Sequence, residues 1–124
     1  MDSILLSIKR LLGVGEDCEH FDDEIIMHIN SVLVILNQLG VGPPGGFIVT
    51  DTRQTWSMFV PNRTDIEFIK TYVFMKVKLI FDPPQSSSAI ESMNRVISEL
   101  EWRINVAVDP GEITEGEEEI GNGQ

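Results

Sequence analysis

The residues best placed for chemistry lie in one stretch, EDCEHFDDEIIMH, at positions 16–28. His20, Glu24 and His28 are four residues apart, a spacing that puts side chains on one side of a helix, and imidazole and carboxylate groups are ordinary zinc ligands. His20 lies ahead of the expected helix start, and a solvated Glu24–His28 pair is the simpler explanation of these residues. Acidic neighbours disfavour the thiolate of Cys18, which is therefore not expected to act as a nucleophile. We predict no catalytic, metal-binding or cofactor-binding residue here.

The rest of the sequence carries no pattern typical of an enzyme. It has no phosphate-binding glycine loop, no Cys-x-x-Cys pair, no His-Glu-x-x-His helix and no nucleophile elbow. We therefore predict that the protein is not an enzyme and needs no cofactor.

Trp102 and Arg103, in the stretch ELEWRINVAV, could either contact another protein or pack within this chain. Tryptophan and arginine are enriched at the energetic centres of interfaces, so the two residues are candidates for an exposed contact. The alternative is a partly buried Trp102 beside a solvated Glu99–Arg103 pair at i,i+4 spacing.

Length and charge narrow the class of protein. A chain of 124 residues with a single cysteine is about one domain, large enough to bury a core without disulfides. Six of its twenty acidic residues and none of its nine basic ones lie in 109–124, which leaves fourteen acids and nine bases in 1–108. We predict a helical domain over 1–108 and an acidic, disordered tail over 109–124. The acidic surface disfavours sequence-specific DNA binding.

No targeting or membrane segment is recognisable. No apolar run reaches the roughly 20 residues of a membrane span. The basic pair near the N-terminus lies inside its apolar residues rather than before them, and no small-residue cleavage site follows. We expect a soluble protein of intracellular origin.

Hydrophobic periodicity predicts an all-α fold, a small bundle of about four helices at about 2–12, 22–39, 65–81 and 89–106. The apolar residues of the second helix run nearly all round it in SVLVILNQL, which predicts burial on several sides. The start and stop signals are Gly13 and Gly40 as helix ends, Asp22 as an N-cap, and capping boxes at Thr64–Glu67 and Ser88–Glu91.

The connection between the second and third helices, GVGPPGGFIVTDTRQTWSMFVPNR, is long and rich in apolar residues. Its β-prone runs predict either a long loop or a short β-hairpin. Its large side chains either complete the core or contact another subunit, and both alternatives remain open. The residues concerned are Phe47, Ile48, Val49, Trp56, Met58 and Phe59.

The next connection, in FDPPQSSSA, is a sharp corner. Pro83 and Pro84 supply no backbone N–H, and Pro83 moves Asp82 out of the helical region. The third helix must therefore end before Ser88 begins the fourth, which folds back against it.

Four stretches of the chain resemble the head-tail connector family of long-tailed phages and prophages, particularly the branch found in Gram-positive hosts. They are ILLSIKRLLGVGED, FDDEIIMHINSVLVILNQLGVGP, IKTYVFMKVKLIFDPP and ELEWRINVAV, and they cover most of residues 3–108 in this order. None is a catalytic signature, so the resemblance rests on order and spacing along the chain.

The resemblance implies a structural subunit of the virion, assembled in the bacterial cytoplasm. Such subunits form a ring, on the order of a dozen copies, beneath the portal protein at the head–tail interface. The ring extends the DNA channel, helps to retain packaged DNA and docks a tail or stopper protein, without contact with a membrane. The resemblance makes the loop at 41–61 and the C-terminal segment candidates for contacts with neighbouring subunits and the portal.

Two other functions remain open. An acidic helical DNA mimic or regulator would use the carboxylates of 16–24 and the tail in place of phosphates, and would form a strongly salt-dependent complex as a monomer or dimer. A small metal-dependent enzyme built on His20, Glu24 and His28 would bind metal stoichiometrically and lose it when His28 is replaced.

Overall fold

A computed structural model describes residues 2–108. These residues form five helices, and their only other regular pairing is a single bridge between Ser3 and Thr55. The all-α prediction is confirmed. The predicted tail at 109–124 lies outside the described residues. The helices are α1 (Ile4–Leu12), α2 (Asp22–Gln38), α3 (Trp56–Phe59), α4 (Ile66–Phe81) and α5 (Ser87–Val108).

The central helix is α4, which packs against α1, α2 and α5. Its buried residues are Ile69, Tyr72, Val73 and Val77, on a face wide enough to serve several neighbours. The ring of Phe21, just before α2, meets the ring of Phe81 at the end of α4 with centroids 5.4 Å apart. Because the start of α2 lies at the end of α4, the two helices run in opposite directions.

The first two helices end as their glycines predict. Gly13 takes a left-handed φ of 83° after α1, and its amide returns to the carbonyls of the last turn. Gly40 takes a φ of 93° after α2. Both angles are costly for any residue with a Cβ, which explains why the helices stop there.

Asp22 was wrongly predicted as the N-cap of α2. The helix begins at Asp22 itself, and Phe21 before it supplies no side-chain cap. The physical reason is a competing partner, because the Asp22 carboxylate lies 2.8 Å from the ammonium group of Lys9.

The capping boxes at the two later helices are also corrected. α4 begins at Ile66 without a side-chain cap, and the carboxylate of the preceding Asp65 is held by Arg63 at 2.6 and 2.7 Å. α5 begins at Ser87, two residues earlier than predicted, because the hydroxyl of Ser86 accepts a hydrogen bond from the Ala89 amide at 3.2 Å. Ser88 therefore lies inside the helix rather than at its cap.

The long connection is a loop with one short helix, α3, and no hairpin forms among residues 2–108. Thr55 caps α3, its hydroxyl accepting a hydrogen bond from the Met58 amide at 3.2 Å. A side-chain cap and the tertiary contacts of the loop outweigh the β-propensity of its residues.

The corner at 82–86 forms as predicted. α4 ends at Phe81, Asp82 turns to an extended φ of −151°, and Lys78 donates to the Asp82 carbonyl at 3.1 Å. α5 then packs back on α4 through Ile97, Leu100 and Ile104.

Candidate functional site

The loop between α2 and α4 is anchored to α1 by its tryptophan. The indole N–H of Trp56 donates to the Ser7 hydroxyl at 2.8 Å, and only 3% of the residue is exposed. On either side of this bond, the Ile4 amide donates to the Gln54 carbonyl at 2.9 Å and the Trp56 amide to the Asp2 carbonyl at 3.2 Å. Trp56 is therefore a core residue of this chain.

Three more of the six apolar loop residues turn inward. The rings of Phe47 and Phe59 lie 5.3 Å apart, and a Cβ at Gly42 would come within 2.5 Å of the Phe59 ring. Val49 is fixed by Asn30, whose amide group accepts from the Val49 N–H at 2.8 Å and donates to its carbonyl at 3.0 Å. Val49 and Phe59 are buried, and Phe47 is partly buried against the core. These side chains offer little surface to a neighbour.

Ile48 and Met58 are the loop residues that remain exposed. Met58 borders a cleft of about 390 Å³, which is also lined by Gly42, Pro43 and Arg63. Of the six candidate contacts in the loop, these two present their side chains to solvent.

The tip of the loop is an exposed ion pair. Asp51 accepts from the Arg53 guanidinium at 2.7 and 2.9 Å and from the Arg53 amide at 2.8 Å. These hydrogen bonds lower the pKa of Asp51 and raise the pKa of Arg53. The pair keeps the loop tip charged without drawing it into the core.

Trp102 is the largest exposed apolar side chain of the described residues, with 65% of its surface accessible. It faces away from α4, whereas Arg103 beside it forms the predicted ion pair with Glu99 at 2.8 Å. Of the two alternatives for Trp102, the structure has the exposed one.

The outer face of α2 carries two exposed apolar residues that sequence reasoning missed, Met27 at 58% and Val34 at 57% exposure. The apolar pattern of α2 had predicted burial on several sides. In the single chain this face has no cover, because α1 and α4 pack on the other sides of the helix. The seven-residue spacing of Met27 and Val34 was the available signal.

The stretch at 16–28 makes no convergent site. The imidazole of His28 lies 3.6 Å from the Glu24 carboxylate, while the ring of His20 packs edge-on against Phe21. Over the described part of the chain, no three His, Cys, Asp or Glu side chains come together as a metal site. Cys18 is exposed.

Lys9 is the other residue that the sequence did not single out. It is only 1% exposed, and its ammonium group donates to the Cys18 carbonyl at 2.7 Å and the Glu16 carbonyl at 3.0 Å. The same group lies 2.8 Å from Asp22. It therefore ties α1 to the 13–21 connection and to α2, and its charge neutralises a carboxylate in the most acidic part of the domain.

The fold and these surfaces define a class, a small all-α protein whose distinctive exposed residues are suited to contacts with other proteins. The family model described as phage connector protein matches residues 4–111. The chain belongs to this phage connector family, and its role is that of a structural head–tail connector component of the virion.

No curated protein and no solved structure matches the chain significantly. None of the helices in the described part of the chain is long and apolar enough to cross a membrane. Membership of the connector family implies contact with portal and tail components.

Proposed function

We propose that this protein assembles as a ring beneath the portal protein of a long-tailed phage or prophage of a Gram-positive host. The ring extends the DNA channel, helps to retain packaged DNA and offers a docking surface to a tail or stopper protein. Assembly takes place in the bacterial cytoplasm. The family match over residues 4–111 is the observation that carries this proposal.

Two physical features support the proposal. Large apolar side chains are exposed on α2, on the loop and on α5, as expected of a subunit whose neighbours complete its packing. The net charge of −11 also suits a subunit near a DNA channel, because an acidic wall gives the passing phosphates no cations to bind.

The test is the mass of the full chain in solution, measured by light scattering over a range of concentrations, alone and with a purified portal ring. We expect a closed oligomer of many copies, formed either alone or on the portal. A monomer or dimer in both cases would contradict the proposal. Binding to a DNA-binding protein that weakens steeply with salt would instead support the DNA mimic.

A further inference from the structure

We propose that two separate surfaces of the chain, one on α2 and one on α5, bind each other across the contact between neighbouring copies. The α2 patch consists of Asp23, Met27, Val34 and Ile48, and the α5 patch consists of Arg95, Trp102 and Arg103. The inference rests on the proposed ring and deepens it by assigning the two faces that meet. A ring needs such a head-to-tail contact, in which different patches of one chain are complementary.

The α2 patch is apolar with an acidic end. Asp23, Met27 and Val34 are separated by four and seven residues and therefore share one helix face. Ile48 lies beside them, because its neighbour Val49 is bonded to Asn30 on the same side of α2. Asp23 forms no ion pair within residues 2–108, and α2 contains no lysine or arginine.

The α5 patch is an exposed aromatic residue among charges of both signs, because Glu91 and Glu99 lie four residues to either side of Arg95 on the same helix face. Arg95 and Trp102 are seven residues apart, on the face of α5 opposite to the buried Ile97 and Leu100. The guanidinium of Arg95 donates to the Ser92 hydroxyl at 3.2 Å and meets no carboxylate in the described part of the chain. Arg103 forms an ion pair with Glu99 of the same helix. An exposed Trp with flanking Arg is the composition typical of an interface hot spot.

The arrangement of the helices directs the two patches to different neighbours. α2 and α5 each pack extensively on α4 and at most marginally on each other, so each helix keeps an outer face of its own. α2 runs antiparallel to α4, because Phe21 at the start of α2 contacts Phe81 at the end of α4. α5 also runs antiparallel to α4, because the corner at 82–86 turns the chain back. α2 and α5 are therefore parallel to each other. Rotation about an axis along these helices brings α5 of one copy beside a parallel α2 of the next.

The occupant that we infer is a second copy of this chain, because within residues 2–108 each patch carries one charge without an ion-pair partner and the two charges are opposite in sign. In a parallel pairing, Asp23 near the start of α2 meets Arg95 in the first half of α5, and both lack an ion-pair partner within the described part of their own chain. The Met27–Val34 strip then lies within reach of Trp102, since seven residues of helix span about 10 Å. The contact covers the apolar groups that the single chain leaves in water.

The test uses variants with one disabled face each. Trp102→Asp disables the α5 patch, and the double variant Met27→Asp with Val34→Asp disables the α2 patch. Leu11→Asp, on the exposed side of α1, is the matched control at 52% exposure. Circular dichroism must first show unchanged helix content. We expect each patch variant to raise the concentration needed for ring formation by about tenfold or more, as for loss of a hot spot, while the control assembles normally.

Mixing the two patch variants distinguishes a head-to-tail contact from any other. Each variant keeps one working face, so an equal mixture should give dimers of twice the 13.9 kDa chain mass, and nothing larger. No interaction in the mixture, or rings formed by both variants alone, would overturn the inference. Variants that form rings but no longer bind the portal would assign the patches to the portal instead. If the unmodified chain forms no ring either alone or on the portal, the proposed function itself fails.

Exchanging the charges of Asp23 and Arg95 tests the ion pair on which the choice of a second copy as the partner rests. Asp23→Arg and Arg95→Asp should each weaken assembly by bringing like charges together, and the double variant should recover it. A double variant as weak as the two single variants would overturn the Asp23–Arg95 contact.

Discussion

Lys9 holds the connection between α1 and α2 with one buried ammonium group. Its two carbonyl acceptors and the Asp22 carboxylate all lie within 3.0 Å of the nitrogen. We expect Lys9→Met to lower the free energy of unfolding by about 2 kcal/mol or more, because hydrogen bonds to charged groups are worth about 1.5–3 kcal/mol and three polar groups lose their partner. Urea denaturation measures the change.

The control for Lys9 is Lys76→Met. The Lys76 ammonium group lies 5.9 Å from the centroid of the Tyr72 ring, and within residues 2–108 it makes no ion pair. We expect a loss below about 1 kcal/mol. Equal losses of unfolding free energy for the two variants would contradict the stabilising role assigned to the buried ammonium group of Lys9.

The two tryptophans of the chain make a matched pair for fluorescence. Trp56→Phe leaves only the exposed Trp102, whose emission should resemble that of indole in water and be quenched by iodide. Trp102→Phe leaves only the buried Trp56, with blue-shifted and protected emission. We also expect Trp56→Phe to cost about 1–3 kcal/mol, through its lost hydrogen bond and smaller ring, and Trp102→Phe at most about 0.5 kcal/mol in the monomer. Similar quenching in both variants would contradict this assignment.

At the scale of elements, α5 packs mainly on one other helix, α4. The buried Tyr72 of α4 donates its hydroxyl hydrogen bond to Glu101 of α5 at 2.7 Å. Burial, and then the hydrogen bond and charge of Glu101, raise the pKa of Tyr72. The folded state therefore favours the neutral phenol.

This shift predicts the stability of the fold at high pH. A tyrosine in the unfolded chain ionises near pH 10, so the stabilisation by Tyr72 should be complete below about pH 10 and decline above it. Tyr72→Phe should lack the decline that comes from this group. Tyr72 is the only tyrosine of the chain, so phenolate absorbance reports its ionisation directly. A folded protein whose phenol titrates near pH 10 would contradict the prediction.

At the scale of the whole molecule, the net charge of −11 opposes assembly. Raising the salt from about 0.01 to 0.15 M shortens the Debye length from about 30 to 8 Å, so it should favour the ring by screening repulsion between subunits. Deletion of 110–124 removes five of the acids, and the truncated chain should assemble at lower salt. Light scattering across a salt series measures both effects.

The deletion also tests the tail prediction from sequence. If 109–124 is disordered, as its composition predicts, the truncated monomer should keep the melting temperature of the full chain. A large fall would contradict that prediction. Truncation that needs more salt rather than less would contradict the repulsion argument.

Local signals predicted the helices and failed at the caps. The periodic apolar residues and Pro83 located four helices and the corner, because both act within a few residues of the chain. The caps were wrong where a more distant or competing group took the side chain, as Lys9 does with Asp22. At the start of α4 no side chain caps the helix, and Asp65, just before it, is paired with Arg63.

The candidate contacts were predictable as a set but not one by one. Residues 47–59 were recognised as too apolar for a passive loop, yet Trp56 is buried while Met58, two residues later, is exposed. The indole of Trp56 finds its partner in Ser7, 49 residues earlier in the chain, and no local pattern contains that bond. The exposure of Met27 and Val34 was missed because the apolar pattern of a helix does not show whether another helix of the same chain covers each face.

The sequence by itself determined the helical class, the corner and the acidic character of the chain, since these follow from local propensity, proline chemistry and composition. Its order of motifs also carried the resemblance to the connector family. Only the tertiary structure decided which loop side chains belong to the core, that Lys9 is buried, and that Met27, Val34 and Trp102 stay in water. The physical reason is that burial is a relation between residues far apart in the chain, and it exists only once the elements have packed.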